Sequence, residues 1–413
     1  MSTLAERLTD IIDHERDRQV GFLAAIVRMP SDNPAGDCAP HAEATARLIE
    51  ALGFTVERHA VPEELVRANG MVSATNLIVR HRFGDGPVVA LNAHGDVVPP
   101  GEGWTHDPYG AEIVDGWMYG RGVAVSKSDF ATYLWALIAL KESGAALGGT
   151  VELHFTYDEE AGGEIGPGWL LREGLSRPDY ALSAGFSYGV VNAHNGCLHL
   201  EVEVNGRSAH AAKPFTGIDA LEAANHVLSA LYSWRKGLAA RISAIAGIGS
   251  PQMTVGLIRG GINTNVVPDR ITFRLDRRMI PEENPVEVEA ELRAVIAAAA
   301  QEFPEARVEV RRILLATPLT PTPASERLSE TLCRHASAVM GETVKAVGVP
   351  LYTDARLYAA AGVPTVLYGA GPRSIEEANA HRADERLPLA DLTRATKVVA
   401  RTLAELLGAA PDA

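Results

Sequence analysis

The sequence predicts an α/β protein in which a smaller α+β domain is inserted into a larger α/β domain. The first observation is that two short apolar strands, residues 87–93 and Thr150–Thr156, run directly into polar loops. The second is that apolar and polar residues alternate with a period of two from residue 198 onward. Buried parallel strands are continuously apolar, whereas half-exposed antiparallel strands alternate, so two kinds of sheet are expected.

The pattern in the first part of the chain predicts helices, followed by alternating strands and helices. Apolar residues at three- and four-residue spacing predict helices over residues 4–29 and 40–53. Short apolar runs then predict buried strands, each followed by a turn or a helical pattern. These strands are residues 76–79, 87–93, 150–156 and 180–183, with a helix at 129–143.

The middle part has a different order, strand–helix–strand–strand–helix–strand, which is typical of helices packed on one antiparallel sheet. Its elements are residues 198–204, 217–238, 252–259, 270–276, 285–303 and 308–314. The α/β pattern then returns with a helix at 325–340, a strand at 365–368 and a helix at 389–407. We therefore expect a first catalytic part at 1–194, an inserted domain at 195–315, and a second catalytic part at 316–413.

Composition excludes several classes of function. The 413 residues include 38 Lys and Arg against 52 Asp and Glu, a net charge of −14. Phosphate binding needs a basic surface, so a nucleic-acid partner is not expected. No run of about 18 apolar residues predicts a membrane span, and no signal peptide is recognised. Three scattered cysteines without a CxxC pattern indicate reduced thiols in a cytoplasmic protein.

Four short clusters carry the residue types that metal and acid–base chemistry need. In His94-Gly95-Asp96, the carboxylate can hold one ring nitrogen and leave the other as a ligand. The crowded acids Asp158-Glu159-Glu160 follow a predicted strand, and neighbouring carboxylates require a cation or raised pKa values. His381 lies in a polar loop, and His210 follows a strand of the inserted domain.

Taken together and in order, these clusters resemble a known family, that of acetylornithine deacetylase, succinyl-diaminopimelate desuccinylase, aminoacylase and glutamate carboxypeptidase. The resemblance spans the chain and implies a zinc-peptidase-like catalytic domain, an inserted lid that dimerises, and metal-dependent hydrolysis of a C–N bond. The motifs that carry it are AHGDVVPP (93–100), YGRG (119–122), FTYDEE (155–160), GRSAH (206–210), NVVPD (265–269), TDAR (353–356) and GAGP (369–372).

The resemblance also implies roles for individual residues. His94 would bind one metal ion, while Glu160 and His381 would bind the other. Glu159 would be the general base and Asp96 would orient His94.

Further residues would contact the substrate. His210 would reach the partner subunit's active site and stabilise the oxyanion. Asn265 and Arg278 would contact substrate from the lid, and Arg278, Arg356 and Arg373 are candidates to bind a substrate carboxylate.

The chain departs from the family at two ligand positions. Val125 stands where the family has the aspartate that bridges two metal ions, and Gly185 lies where it has a second carboxylate. The remaining His₂Glu set predicts one divalent ion, with Mn²⁺, Zn²⁺ and Fe²⁺ all open. Asp129 could replace a ligand, but an acid in the first turn of a helix is the favoured interpretation.

Three functions stay open at this point. The first is hydrolysis of a small carboxylate-bearing N-acyl amino acid or dipeptide by a homodimer or a higher homo-oligomer. The second is replacement of an aromatic amine, as in 5-nitroanthranilate aminohydrolase, because an activated ring needs less Lewis-acid help. The third is ligand binding without catalysis, which the buried acid Glu159 disfavours.

Overall fold

The computed structural model describes residues 2–408. These residues form two compact units. The first contains the chain up to Asn192, Pro321–Val347, and the chain from Thr353 onward, while the second contains Ala193–Thr320 and Gly348–Tyr352.

The described elements are numbered here in chain order. The helices are α1 Leu4–His14, α2 Arg16–Val27, α3 Ala39–Glu50, α4 Glu63–Ala68, α5 Lys127–Glu142, α6 Pro167–Arg172, α7 Ala220–Arg235, α8 Pro285–Ala300, α9 Pro323–Met340, α10 Ala355–Ala360, α11 Ile375–Ala378 and α12 Leu389–Leu406. The strands are β1 Glu57–Ala60, β2 Thr75–Arg82, β3 Val88–His94, β4 Glu112–Val114, β5 Trp117–Tyr119, β6 Thr150–Thr156, β7 Tyr180–Ser183, β8 Val190–His194, β9 Gly196–Asn205, β10 Gln252–Gly260, β11 Arg270–Met279, β12 Arg307–Ala316, β13 Ala346–Val349, β14 Thr365–Leu367 and β15 Arg386–Pro388.

The main sheet has the strand order β1-β2-β6-β3-β7-β14-β8-β13. Its centre is parallel, because β3 pairs in parallel with both β6 and β7, and β7 pairs in parallel with β14. In this register His94 lies opposite Thr156. The polar loops that follow β3 and β6 therefore begin at the same edge of the sheet, where open α/β sheets place their sites.

Helix α5 lies at the centre of the first unit. Every residue from Lys127 to Leu140 is buried, and the helix packs against α2, α12 and the strands β3 and β6. A helix that is buried on all sides needs neighbours that cover every face. The mixed α/β class predicted from the sequence is confirmed by this arrangement.

The second unit is an antiparallel sheet in the order β10-β11-β9-β12. Helices α7 and α8 pack on one face and share a core with the inward residues of β9, such as Leu200 and Val202. The alternate residues of β9 face away from these helices, and from His199 onward they are only partly buried. The period-two pattern in the sequence therefore corresponds to one covered face and one open face.

Several short elements have no clear signal in the sequence. They include the edge strands β1 and β13, the strand β8 next to β13, and a small sheet in the order β15-β5-β4. In that sheet Arg386–Pro388 pairs with Trp117–Tyr119, which lies far away along the chain. Three-residue strands are stabilised by such long-range pairing, so local patterns do not predict them. Among residues 2–408, none of the helices combines the length and apolar character needed to cross a membrane.

Candidate metal and catalytic site

His94 is the last residue of β3, and its ring is held in one orientation. The main chain exchanges two hydrogen bonds with Ser126 Oγ, which accepts from His94 N at 3.0 Å and donates to His94 O at 3.1 Å. Nδ1 lies 2.9 Å from the Asp96 main-chain oxygen. A ring that donates from Nδ1 presents Nε2 as the ligand atom, so the local backbone selects the tautomer.

Asp96 positions the acidic turn as well as the histidine loop. Its buried carboxylate accepts hydrogen bonds from the main-chain N–H groups of Glu159 and Glu160, both at 3.2 Å. Asn33 donates a third bond to it at 3.0 Å. Because these bonds join the loop after β3 to the loop after β6, Asp96 sets the distance between His94 and the two glutamates.

The carboxylates of this turn converge on His94. Ligand atoms of His94, Glu159 and Glu160 all lie within 4.8 Å of one another. His94 Nε2 is 3.9 Å from Glu159 Oε2, and His381 Nε2 is 3.2 Å from Glu160 Oε1. The structure therefore brings together four residues that are predicted to act from separate parts of the sequence.

The electrostatics of this group favour a cation. Burial raises the pKa of Glu159 to about 8, and neighbouring acids add to the shift. Burial alone would lower the pKa of His94, but the carboxylates of Glu159 and Asp96 raise it well above the usual value. Glu160 Oε1 is buried and faces His381 Nε2, and this contact raises the pKa of His381. Two imidazoles beside two crowded carboxylates are a donor set that fits a divalent metal ion.

The two altered ligand positions contribute no side-chain donor. The partly buried Val125 side chain packs against the apolar core. Gly185 has no side chain, and a Cβ there would lie 2.8 Å from the Tyr368 nitrogen.

Asp129 lies in the first turn of α5, but its carboxylate binds distant main chain. One oxygen accepts from Ala370 N at 2.7 Å and the other accepts from Gly185 N at 3.1 Å. Burial raises its pKa to about 7. Both oxygens are thus used to join α5 to the loops that follow β7 and β14.

Glu385 is a buried residue that the sequence reasoning did not single out. It forms an ion pair with the buried Arg121 at 2.6 Å, and its other oxygen accepts from the N–H groups of Ala124 and Val125. These contacts tie the loop that carries His381 to the altered GRG segment. The sequence does contain a signal for this residue, because Glu385 lies four residues after the candidate ligand His381 in the same polar loop.

Asp158 and Asp354 are two more buried acids close to Glu159. Asp158 accepts a hydrogen bond from Ile165 N at 2.7 Å. Burial and the Asp354 carboxylate raise the pKa of Asp158, while burial and Glu159 raise the pKa of Asp354. Carboxyl groups are therefore concentrated in this region, and their mutual repulsion adds to the effect of burial.

The candidate arginines make protein contacts. Arg356 donates to the Gly162 carbonyl and lies 3.4 Å from Glu164. Arg373 pairs with Glu342 at 2.7 Å and stacks 3.8 Å from the Tyr188 ring. A substrate carboxylate would have to compete with these contacts, and the assignment of both arginines stays a prediction.

The predicted lid residues lie in the second unit. His210 and Asn265 are both exposed, and they lie in adjacent loops because Ala211 N donates to Asn265 O at 3.0 Å. Arg278 instead contacts Asp276, at 2.9 Å between Nε and Oδ1. Exposure leaves His210 and Asn265 free to meet a substrate, whereas Arg278 already has an acidic partner.

Histidines and carboxylates that converge at the ends of parallel strands form a site of the kind that metal-dependent hydrolases use. The sequence profile of peptidase family M20/M25/M40 matches residues 90–405. The chain belongs to this family, and it is an enzyme of the metal-dependent class that acts on C–N bonds, as predicted.

Two relatives agree with this assignment, and a solved structure shares the fold. The chain is 28% identical over 387 residues to succinyl-diaminopimelate desuccinylase of Acidiphilium cryptum, covering 92% of this chain and 95% of the relative. It is 28% identical over 369 residues to acetylornithine deacetylase of Myxococcus xanthus, covering 88% and 91%. The fold resembles that of the Bacillus subtilis YXEP protein, a dinuclear metal-binding peptidase, with a TM-score of 0.69, 19% identity, and coverage of 96% and 100%.

Proposed function

We propose that this enzyme uses a single divalent ion to hydrolyse a C–N bond in a small carboxylate-bearing substrate, an N-acyl amino acid or a dipeptide. The observation that carries the proposal is the convergence of His94, Glu159 and Glu160 beside two positions, Val125 and Gly185, that offer no donor. The named activities of the desuccinylase and deacetylase relatives support this substrate class.

In this mechanism His94, Glu160 and His381 would hold the ion. The ion, when bound, supplies a Lewis acid that polarises a carbonyl and makes water a stronger acid. Glu159 lies beside His94 and accepts the proton of the attacking water, then returns it to the leaving nitrogen. Asp96 keeps Glu159 in reach of the substrate because it binds the main-chain N–H of that residue.

The second unit would supply both a dimer contact and the oxyanion donor. Strand β10 is an edge of its sheet, and Leu257, Ile258 and the following Ile262 expose 47%, 54% and 78% of their surface. An exposed apolar edge strand favours pairing with a second copy. His210 is exposed in one chain, as required of a residue that completes the partner's site. A cytoplasmic location stays a prediction from the cysteine pattern.

The loss of two anionic ligand positions also favours the second candidate, an aromatic aminohydrolase. A nitro-activated ring needs less polarisation than an amide carbonyl does, so one ion suffices more easily. The two candidates differ in product, because amide hydrolysis releases an amino acid whereas replacement of a ring amine releases ammonia.

The test compares metal content and products in the wild type and two variants. Glu160→Gln should hold one ion fewer per chain than the wild type and lose the turnover as well, because it removes an anionic ligand. Glu173→Gln, which changes an exposed glutamate, should retain both. Elemental analysis is paired with a panel of N-acetyl and N-succinyl amino acids, dipeptides and nitroanthranilates. If Glu160→Gln held as many ions per chain as the wild type and turned over as fast, the proposed site would be wrong.

A further inference from the structure

A second cluster of metal-binding residue types lies in the second unit, on strands β9 and β11. Cys197 and His199 are two residues apart on β9, so their side chains share one face. The antiparallel register places His199 opposite Asp276 and Cys197 opposite Arg278. This face is the one turned away from α7 and α8.

The three donor atoms converge. Cys197 Sγ lies 3.2 Å from His199 Nε2, and the same nitrogen lies 3.0 Å from Asp276 Oδ2. All three atoms lie within 4.8 Å of one another. A catalytic Cys–His–Asp relay would use both ring nitrogens, one for the thiol and one for the acid. Here a single nitrogen faces both groups, so the geometry points to a common ligand between them.

Arg278 fixes the carboxylate of this cluster. Its Nε donates to Asp276 Oδ1 at 2.9 Å and its Nη2 donates to Oδ2 at 3.0 Å. The guanidinium also lies 5.6 Å from the centre of the Tyr352 ring. The paired arginine orients the acid and offsets one negative charge, as the outer partners of metal ligands commonly do.

The cluster differs from the rest of the same sheet face. Farther along the strands, Glu201 pairs with Arg274 and Arg311 at 2.7 and 2.6 Å, which is an ordinary ladder of opposite charges. At this end of the face Asp276 pairs with both Arg278 and His199, and the Cys197 thiol lies beside the same imidazole. The thiol is buried, whereas the His199 and Asp276 side chains are 34% and 30% exposed. An ion could therefore reach this cluster from solvent, and one of its coordination positions would stay open to water.

We propose that Cys197, His199 and Asp276 form a site for one Zn²⁺ ion, separate from the His94 cluster. A thiolate, an imidazole and a carboxylate are all zinc ligands, and three protein ligands leave a fourth tetrahedral position open. The thiol loses its proton to solvent when the ion binds. Two ions per chain would then reflect one ion in each unit, rather than a bridged pair in the first.

Cobalt substitution tests this site on the full-length protein. Co²⁺ bound to a thiolate gives an intense near-ultraviolet charge-transfer absorption, whereas the His94 cluster offers only nitrogen and oxygen donors. We expect Co²⁺ to produce this absorption in the wild type and Zn²⁺ to abolish it. Cys197→Ser should lose the absorption, and the matched control Cys333→Ser should keep it.

His199→Gln provides a second variant in case Cys197→Ser does not fold. It retains the thiol and changes only a partly exposed ligand, and it should weaken Co²⁺ binding at least tenfold. The proposal fails if the wild type shows no thiolate absorption at saturating Co²⁺. It also fails if the absorption persists with unchanged affinity in folded Cys197→Ser or His199→Gln.

Discussion

The Asp129 carboxylate accepts a hydrogen bond from the main-chain nitrogen of Gly185 at 3.1 Å. Gly185 lies where the family resemblance leads one to expect a metal-binding acid, so the chain has a carboxylate near that position on a different element. The Asp129 carboxylate stabilises the fold, because its other oxygen accepts a hydrogen bond from Ala370 N at 2.7 Å. The anionic group is present, but its oxygens are bound to backbone.

Asp129→Asn should therefore lower stability without changing metal content. An amide has one oxygen for the two N–H donors of Gly185 and Ala370, so one buried donor is left unpaired. We expect a loss of about 1–3 kcal/mol in the free energy of unfolding, measured by urea denaturation. Loss of an ion from the folded variant would instead make Asp129 a ligand.

Glu159→Gln should abolish turnover and leave the ion in place. Glutamine cannot accept a proton, and loss of a general base typically costs about 10²–10⁴-fold in rate. The measurement is kcat on the substrate that the panel identifies, with elemental analysis of the same sample. A variant that kept wild-type kcat would remove Glu159 from the mechanism.

Two different inactive subunits should restore activity when mixed. Glu159→Gln inactivates a chain's own site, whereas His210→Ala should inactivate the partner's site. Because a two-fold dimer exchanges equivalent residues, a mixed dimer would contain one intact site. Refolding the two variants together should recover part of the wild-type rate, while each refolded alone should not. Absence of recovery in verified mixed dimers would mean that His210 acts within its own chain or not at all.

The buried Arg121–Glu385 pair should be costly to break. Glu385→Ala leaves a buried guanidinium and two main-chain N–H groups without their acceptor, and removal of one partner of a buried pair costs about 3–5 kcal/mol. Replacing Arg121 and Glu385 together should cost less than the sum of the two single changes. Chemical denaturation of the three variants gives this comparison directly, and additive losses would contradict it.

Lys127 should make stability depend on pH above neutrality. Burial lowers its pKa to about 7, while its ammonium donates to the carbonyls of Ile26 and Met29. Between pH 7 and the unfolded value near 10.5 the unfolded chain holds more protons, so this residue's destabilising cost shrinks as pH rises.

Lys127→Met should remove this contribution. The difference in unfolding free energy between wild type and variant should change by up to about 1.4 kcal/mol per pH unit in that window. The exposed Lys141→Met on the same helix serves as the control for removal of a lysine ammonium. A flat difference for Lys127→Met would show that the buried amine keeps an ordinary pKa.

Much of the fold could be predicted because its long elements have strong local patterns. Thr150–Thr156 and Tyr180–Ser183 have the predicted bounds, and the helix predicted at 129–143 is observed at Lys127–Glu142. The predicted helix over 4–29 is instead two helices, Leu4–His14 and Arg16–Val27. Short strands such as β15 were missed, since their stability comes from distant partners rather than from their own residues.

By itself, the sequence determined the family, the two sheet types and the residue types of the site, because periodicity and motifs are properties of neighbouring positions. Only the tertiary structure decided that Asp96 holds both glutamates, that Asp129 binds backbone, and that Glu385 anchors the His381 loop. It also decided that Cys197, His199 and Asp276 meet, since their contact depends on the register of two strands. Distances between residues far apart in the chain are set by packing and strand pairing, which no local pattern contains.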